Sequence, residues 1–211
     1  MTLLFQPNQK LLFIGDSITD CGRRGDYSPY GHGYVRRIQE WLGAVHPELN
    51  LTITNRGISG NTIRDLVARW ADDVIAEQPD WLFIKIGVND MWRFVTDRLD
   101  AAVPVEEYER HYQVLLDDAQ SRTSAEIMLI EPFLAESDPA DGFRTGLDQY
   151  RLVVRRLARS NELPVVKLQD AFDAGLVYQP FDYWTTDRVH PTPIGHTLIA
   201  REVLKACGFA F

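Results

Sequence analysis

Five short apolar runs divide the chain: KLLFI at 10–14, LTIT at 51–54, WLFIKI at 81–86, EIMLI at 126–130 and PVVKL at 164–168. Longer segments of helical period separate them, and that alternation marks strands joined by crossover helices in a parallel sheet. The helical segments run over 33–44, 61–78, 104–121, 144–160 and 193–207. Ile63, Leu66, Val67, Trp70, Val74 and Ile75 fall at steps of three, four and one, which gives the second helix an apolar face for the sheet. Val105, Tyr108, Tyr112, Leu115 and Leu116 repeat the pattern, and Pro104 suits a helix start, where a missing N–H costs little. Right-handed crossovers then place helices on both sheet faces. The expectation is an α/β fold: a three-layer α/β/α sandwich with a five-stranded parallel sheet, forming one domain over 1–211, since a chain of this length without internal repeats can bury one sufficient core.

Charge and composition exclude several functions. A net charge of -8 argues against nucleic-acid partners, which are held by clustered Lys and Arg, and suits neutral substrates better. Arg23 with Arg24, Arg36 with Arg37, and Arg155 with Arg156 each sit near acids and read as solvated faces. No apolar run approaches the length of a membrane span, so no membrane role is expected. The opening MTLLFQPNQK has no basic segment followed by a long apolar one, and a cytoplasmic location is the expectation. Cys21 and Cys207 are too few for a disulfide framework or a zinc site and read as free thiols. Cys21 reads as a small loop residue.

A doubly wound sheet binds ligands beyond the carboxyl ends of its strands. Those ends carry GDSIT, NRGISGN, GVND, EPF and QDAF, and the first three are rich in Gly, Asn, Asp and Ser. Ser17, at the turn after the first run, suits two roles equally: cap of the helix that follows, or nucleophile. A nucleophile needs a base, an orienting acid and donors for an oxyanion. Asp187 and His190, three apart in DRVHPTPIGH, can pair across a tight turn, because Pro191 bars helix at His190 while Thr192 and Pro193 read as the start of the last helix. His46 and His111 sit in polar settings in or beside helical segments, His196 lies inside the last helix without a nearby acid, and His32 in SPYGHGY is the one rival near the rim. Asn89 offers a side-chain amide at the third strand end, and NRGISG offers a glycine amide, though spacing does not choose between Gly57 and Gly60.

GDSIT at 15–19, NRGISG at 55–60, GVND at 87–90 and DRVHP at 187–191 together resemble the ordered blocks of the SGNH, or GDSL-type, esterase and lipase family. The resemblance implies the flavodoxin-like fold of that family. It implies Ser17 as nucleophile, Asp187 and His190 as its acid and base, and the amides of Ser17 and Gly60 with the Asn89 side chain as oxyanion donors. The extended blocks GDSITDCGR, NRGISGNTIRDL, GVNDMWR and DRVHPTPIGH are most similar to small bacterial carbohydrate esterases that remove acetyl groups from xylan and xylo-oligosaccharides. A chain this short has little room for a lid or acyl tunnel, which favours a small acyl group. Trp92 and Trp184, each three residues from a site residue, offer aromatic platforms for a sugar ring or another subunit.

The expected chemistry is serine ester hydrolysis through an acyl-enzyme, with no metal or organic cofactor. Neutral imidazole must act as base, so activity is expected to fall as pH drops through about 6 to 7. An acylhydrolase of longer esters is the alternative. A metallophosphoesterase built on Asp16, Asn89, Asp90, Asp187 and His190, and a sugar-binding module without activity, fit the pattern less well. Homo-oligomerisation through aromatic surfaces is left open, since no coiled-coil pattern speaks for or against it.

Overall fold

Strands β1 (Lys10–Gly15), β2 (Thr52–Gly57), β3 (Trp81–Lys85), β4 (Glu126–Ile130) and β5 (Val165–Val166) form one sheet in a computed structural model that describes residues 2–211. All pairings are parallel, in the order β2-β1-β3-β4-β5. β1 is buried after Lys10 and β3 throughout, so both read as continuous apolar runs, as strands covered on both faces must. Phe13 pairs in register with Phe83, and their rings stack at 4.4 Å in the middle of the core.

Nine helices connect and flank these strands among the described residues. They are α1 (Ser17–Asp20), α2 (Tyr34–Val45), α3 (Ile63–Trp70), α4 (Val88–Val95), α5 (Val105–Arg122), α6 (Gly142–Ser160), α7 (Leu168–Leu176), α8 (Phe181–Trp184) and α9 (Pro193–Ala206). The expected helix over 61–78 appears as α3 continued by one wide turn, Ala71–Ile75, in which the Ala76 amide reaches back five residues to the Ala71 carbonyl. The expected strand over 164–168 shrinks to two residues. Its end is drawn away because the buried Glu131 carboxylate accepts from the Gln169 amide and starts α7 where strand was expected. α1 is the helix expected after Ser17, while α4, α7 and α8 add helices that the periodicity did not mark.

The strand order places the site. From β1 the chain steps outward to β2, then returns to the other side of β1 for β3, so the crossovers diverge between β1 and β3. A crevice opens at such a switch point beyond the carboxyl ends of the strands. Ser17 follows β1 there and Asn89 follows β3.

Candidate active site

Ser17 is the first residue of α1, and its cap is Asp16, whose Oδ1 accepts from the Ile18 amide at 3.0 Å. This corrects the reading of Ser17 as the cap: the neighbouring aspartate does that work, which frees the serine hydroxyl. The other Asp16 oxygen lies 3.5 Å from Lys85 Nζ, and both side chains are fully buried. The turn carrying the serine is thereby pinned to β3.

Ser17 Oγ is 3.0 Å from His190 Nε2, and His190 Nδ1 is 2.7 Å from Asp187 Oδ2. Asp187 Oδ1 also accepts from the amides of Val189 and His190, at 3.1 and 2.7 Å. Partial burial pushes the Asp187 carboxyl upward, but the bonds from the His190 amide and ring outweigh it and hold it below the usual carboxylate range. An ionised Asp187 fixes the Nδ1–H tautomer and leaves Nε2 to accept from the serine. The turn is closed below by a bridge between Thr185 and Pro191 and by the Thr186 amide donating to the His190 carbonyl at 2.8 Å.

Three donors converge on the same cavity, which has a volume of about 740 Å³ and is lined by Ser17, Gly60, Asn89 and His190. The amides of Ser17 and Gly60 donate to no protein acceptor among the described residues. Asn89 gives one amide hydrogen to the Asn61 carbonyl at 2.9 Å, which orients its side chain and leaves the second hydrogen free. Gly60 sits at φ +83, a backbone conformation that disfavours other residues. Gly57 serves a different end: its amide is taken by Asn55 Oδ1, and a Cβ there would collide with the backbone of Asp20. The structure thus separates the two glycines that spacing left equivalent.

Residues other than the triad and the oxyanion donors hold the loops in place. Asp20 Oδ2 accepts from both the amide and the hydroxyl of Ser59, at 2.9 and 3.0 Å, tying the loop before Gly60 to α1. Arg69 donates to the carbonyls of Gly15 and Arg56 and to Asn61 Oδ1, so one guanidinium joins the ends of β1 and β2. The fully buried Asp90 accepts from the Ile63 amide at 2.9 Å and anchors α3 to α4 beside Asn89. An Asp directly after the oxyanion asparagine, and a Lys inside an apolar strand, were the available signals for Asp90 and Lys85.

The two tryptophans part company. Trp92 lines the cavity with its ring 5.5 Å from that of His190. Trp184 does not line it, a correction to the expected pair of platforms. Its indole packs on Phe172 at 6.3 Å and over Gly175, because α8 turns that face toward the core. His32 lines the cavity but packs against Tyr27 and has no hydrogen bond to Ser17. His196 accepts from the Tyr34 amide and faces Cys21 Sγ at 3.3 Å. Burial foremost, with Arg37 and His32 nearby, pushes His196 down to about 3, so the ring is neutral. Burial likewise pushes the Cys21 thiol up to about 11, which removes it as a nucleophile near neutral pH. Asp16 and Asp90 are engaged with Lys85 and Ile63, and no group of three or more metal-binding side chains gathers among the described residues.

An α/β sheet with a serine, a histidine and an aspartate hydrogen-bonded in series at its switch point defines a carboxylic-ester hydrolase of the serine type. The model of the GDSL-like lipase/acylhydrolase family matches residues 13–198, and the chain belongs to that family. It is 42% identical to an acetylxylan esterase of Geobacillus stearothermophilus over 95% of this chain and 94% of that protein. The solved structure of Axe2, an acetylxylan esterase from that organism, superposes with a TM-score of 0.94 at 40% identity, covering 99% of this chain and 98% of the other. Solved catalytic mutants of Axe2 replace a serine, an aspartate or a histidine by alanine. LAE5, an α/β hydrolase from the metagenome of Lake Arreo in Spain, superposes with a TM-score of 0.93 at 36% identity over 98% of both chains.

Proposed function

We propose that this protein removes acetyl groups from xylan fragments, acting on acetylated xylo-oligosaccharides. The observation that carries the reading is the Ser17–His190–Asp187 series opening onto a cavity where the amides of Ser17 and Gly60 have no protein acceptor among the described residues and Asn89 keeps one amide hydrogen free. Its likeness to Geobacillus stearothermophilus acetylxylan esterase over nearly the whole of both chains supports the substrate.

In this mechanism His190 Nε2 takes the Ser17 proton as Oγ attacks the acetyl carbonyl. The carbonyl oxygen becomes an oxyanion held by the amides of Ser17 and Gly60 and by Asn89 Nδ2. Each such donor contributes roughly 3 to 4 kcal/mol, because the charge it meets exists only in the transition state. His190 passes the proton to the departing sugar hydroxyl, leaving an acetyl-serine. Water, giving its proton to the same nitrogen, then releases acetate. Asp187 holds the ring throughout and stabilises the transient imidazolium. Trp92, beside His190, offers its face to the sugar.

Acetate release measured across acetylated xylo-oligosaccharides, peracetylated xylose and p-nitrophenyl esters of rising chain length tests the reading. Preference for the acetylated sugars and for acetate supports it. Preference for octanoate or longer would replace it with a lipase-type acylhydrolase. A cytoplasmic site of action belongs to the same proposal: Cys21 and Cys207 stand as free thiols, as suits a reducing compartment, and fractionation of cells checks it.

A further inference from the structure

The cavity beside Ser17 has a charge unlike that of the protein around it. The chain carries 30 acidic against 22 basic residues, yet no aspartate or glutamate lines the cavity, while Arg93 and Arg98 do. Asn89, Trp92, Arg93 and Thr96 follow one another at helical spacing along the wall formed by α4, and Arg98 lies just past its end. Most arginines elsewhere are matched with carboxylates, among them Arg64 with Glu107, Arg144 with Asp173, Arg155 with Glu131 and Arg156 with Glu109, though Arg23 and Arg37 bond to backbone carbonyls instead. Arg93 instead gives one Nη2 hydrogen to the Gly60 carbonyl at 2.9 Å, and its buried Nε has no partner. Arg98 forms no ion pair among the described residues, although Asp97 and Asp100 stand close by in sequence. The carboxylates close behind the wall are engaged: Asp187 is bound up behind the His190 ring, and Asp20 accepts from Ser59 and pairs with Arg24.

We propose that this wall recognises a carboxylate on the substrate, so that the preferred esters are acetylated sugars bearing a uronic acid. The inference rests on the sugar-ester reading above and refines its substrate class. Guanidinium groups suit a carboxylate because their N–H pairs match its two oxygens. A cavity lined by one sign of charge concentrates ligands of the other, even on a protein whose overall charge repels them. With the acetyl group at Ser17 and the sugar against Trp92, the acid extends along α4 toward Arg93 and Arg98. The overall charge, which by itself favours neutral substrates, does not describe the site.

The test compares an O-acetylated methyl glucuronoside with the same sugar carrying a C6 carboxamide, which has the shape but not the charge. The acid is expected to show about tenfold higher kcat/KM. That ratio should shrink as salt rises to roughly 0.5 M, where the Debye length is only about 4 Å. Arg98→Gln should bring the ratio close to one and Arg98→Glu below one, while thermal unfolding reports that both variants fold. A ratio of one in the parent enzyme, or a preference that Arg98→Gln leaves intact, overturns the proposal. Should neither sugar ester be hydrolysed while p-nitrophenyl acetate is, the sugar reading fails instead. The pair 4-acetoxybenzoate and 4-acetoxybenzamide then still reads the charge preference alone.

Discussion

Lys85 Nζ stands 3.5 Å from Asp16 Oδ2 with both side chains wholly shielded from solvent, directly beneath the turn that presents Ser17. Burial holds the Lys85 ammonium below its ordinary value, and Asp16 offsets part of that effect. Neither charge has another charged partner within reach, so each depends on the other.

Lys85→Met leaves Asp16 a buried, unpaired carboxylate and should cost about 3 to 5 kcal/mol. Asp16→Asn keeps an acceptor for the Ile18 amide, and a neutralised Lys85 can tolerate it, so the loss should be smaller. The double variant should be more stable than the sum of the two losses predicts. Chemical denaturation of all four proteins measures this, and strict additivity would show that the pair does not act as one unit.

Ser17→Ala should lower turnover of p-nitrophenyl acetate by at least about 10⁴-fold with the thermal midpoint unchanged, since it removes the group that attacks and nothing the fold rests on. Asn89→Ala should lower kcat about 100- to 1000-fold with little change in KM. An equal loss in binding and turnover would assign Asn89 to the substrate's ground state instead.

Asp90 titrates in the wrong place for a carboxylate. Burial, opposed by the Ile63 amide, pushes it up to about 7. The folded chain therefore keeps a proton that the unfolded chain sheds near about pH 4, so this group lowers stability progressively as pH rises from about 4 to 7. Asp90→Asn retains an acceptor for Ile63 without the titration. Its thermal midpoint should gain on that of the parent across that interval and hold steady above it. A difference independent of pH would mean that Asp90 is already ionised at acid pH.

Trp92 and Trp184 should separate in their effects. Trp184→Ala removes an indole packed on Phe172 and should cost about 3 kcal/mol of stability while KM for sugar esters stays put. Trp92→Ala should raise KM for acetylated xylo-oligosaccharides more than for p-nitrophenyl acetate. A matching rise for both esters would mean that Trp92 supports His190 and does not hold the sugar.

The layered fold was legible because β1 and β3 are buried on both faces and must be apolar throughout, a pattern that survives in the sequence. The helix over Val88–Val95 was not legible, because Gly87 precedes it and Asn89 and Asp90 stand in its first turn, residues that also make turns. β5 was overestimated since Val165 to Leu168 is apolar either way, and only the distant Glu131 carboxylate decides where strand gives way to helix. At the site, Ser17 and Asn89 stood out by position at strand ends, and Asp187 and His190 by their spacing in the turn before the last helix. Asp20 and Arg69 did not, because a residue that holds a loop by hydrogen bonds to backbone carbonyls and amides leaves no spacing rule. Trp184 misled for the opposite reason: its closeness to Asp187 in sequence says nothing about which way a four-residue helix turns its face.

The closed turn from Thr185 to Pro191 carries both the acid and the base, while the nucleophile and every oxyanion donor belong to the earlier part of the chain. During synthesis the ribosome therefore makes nucleophile and oxyanion donors long before any base can reach them. Until His190 emerges, the nascent protein carries its serine without the base that activates it.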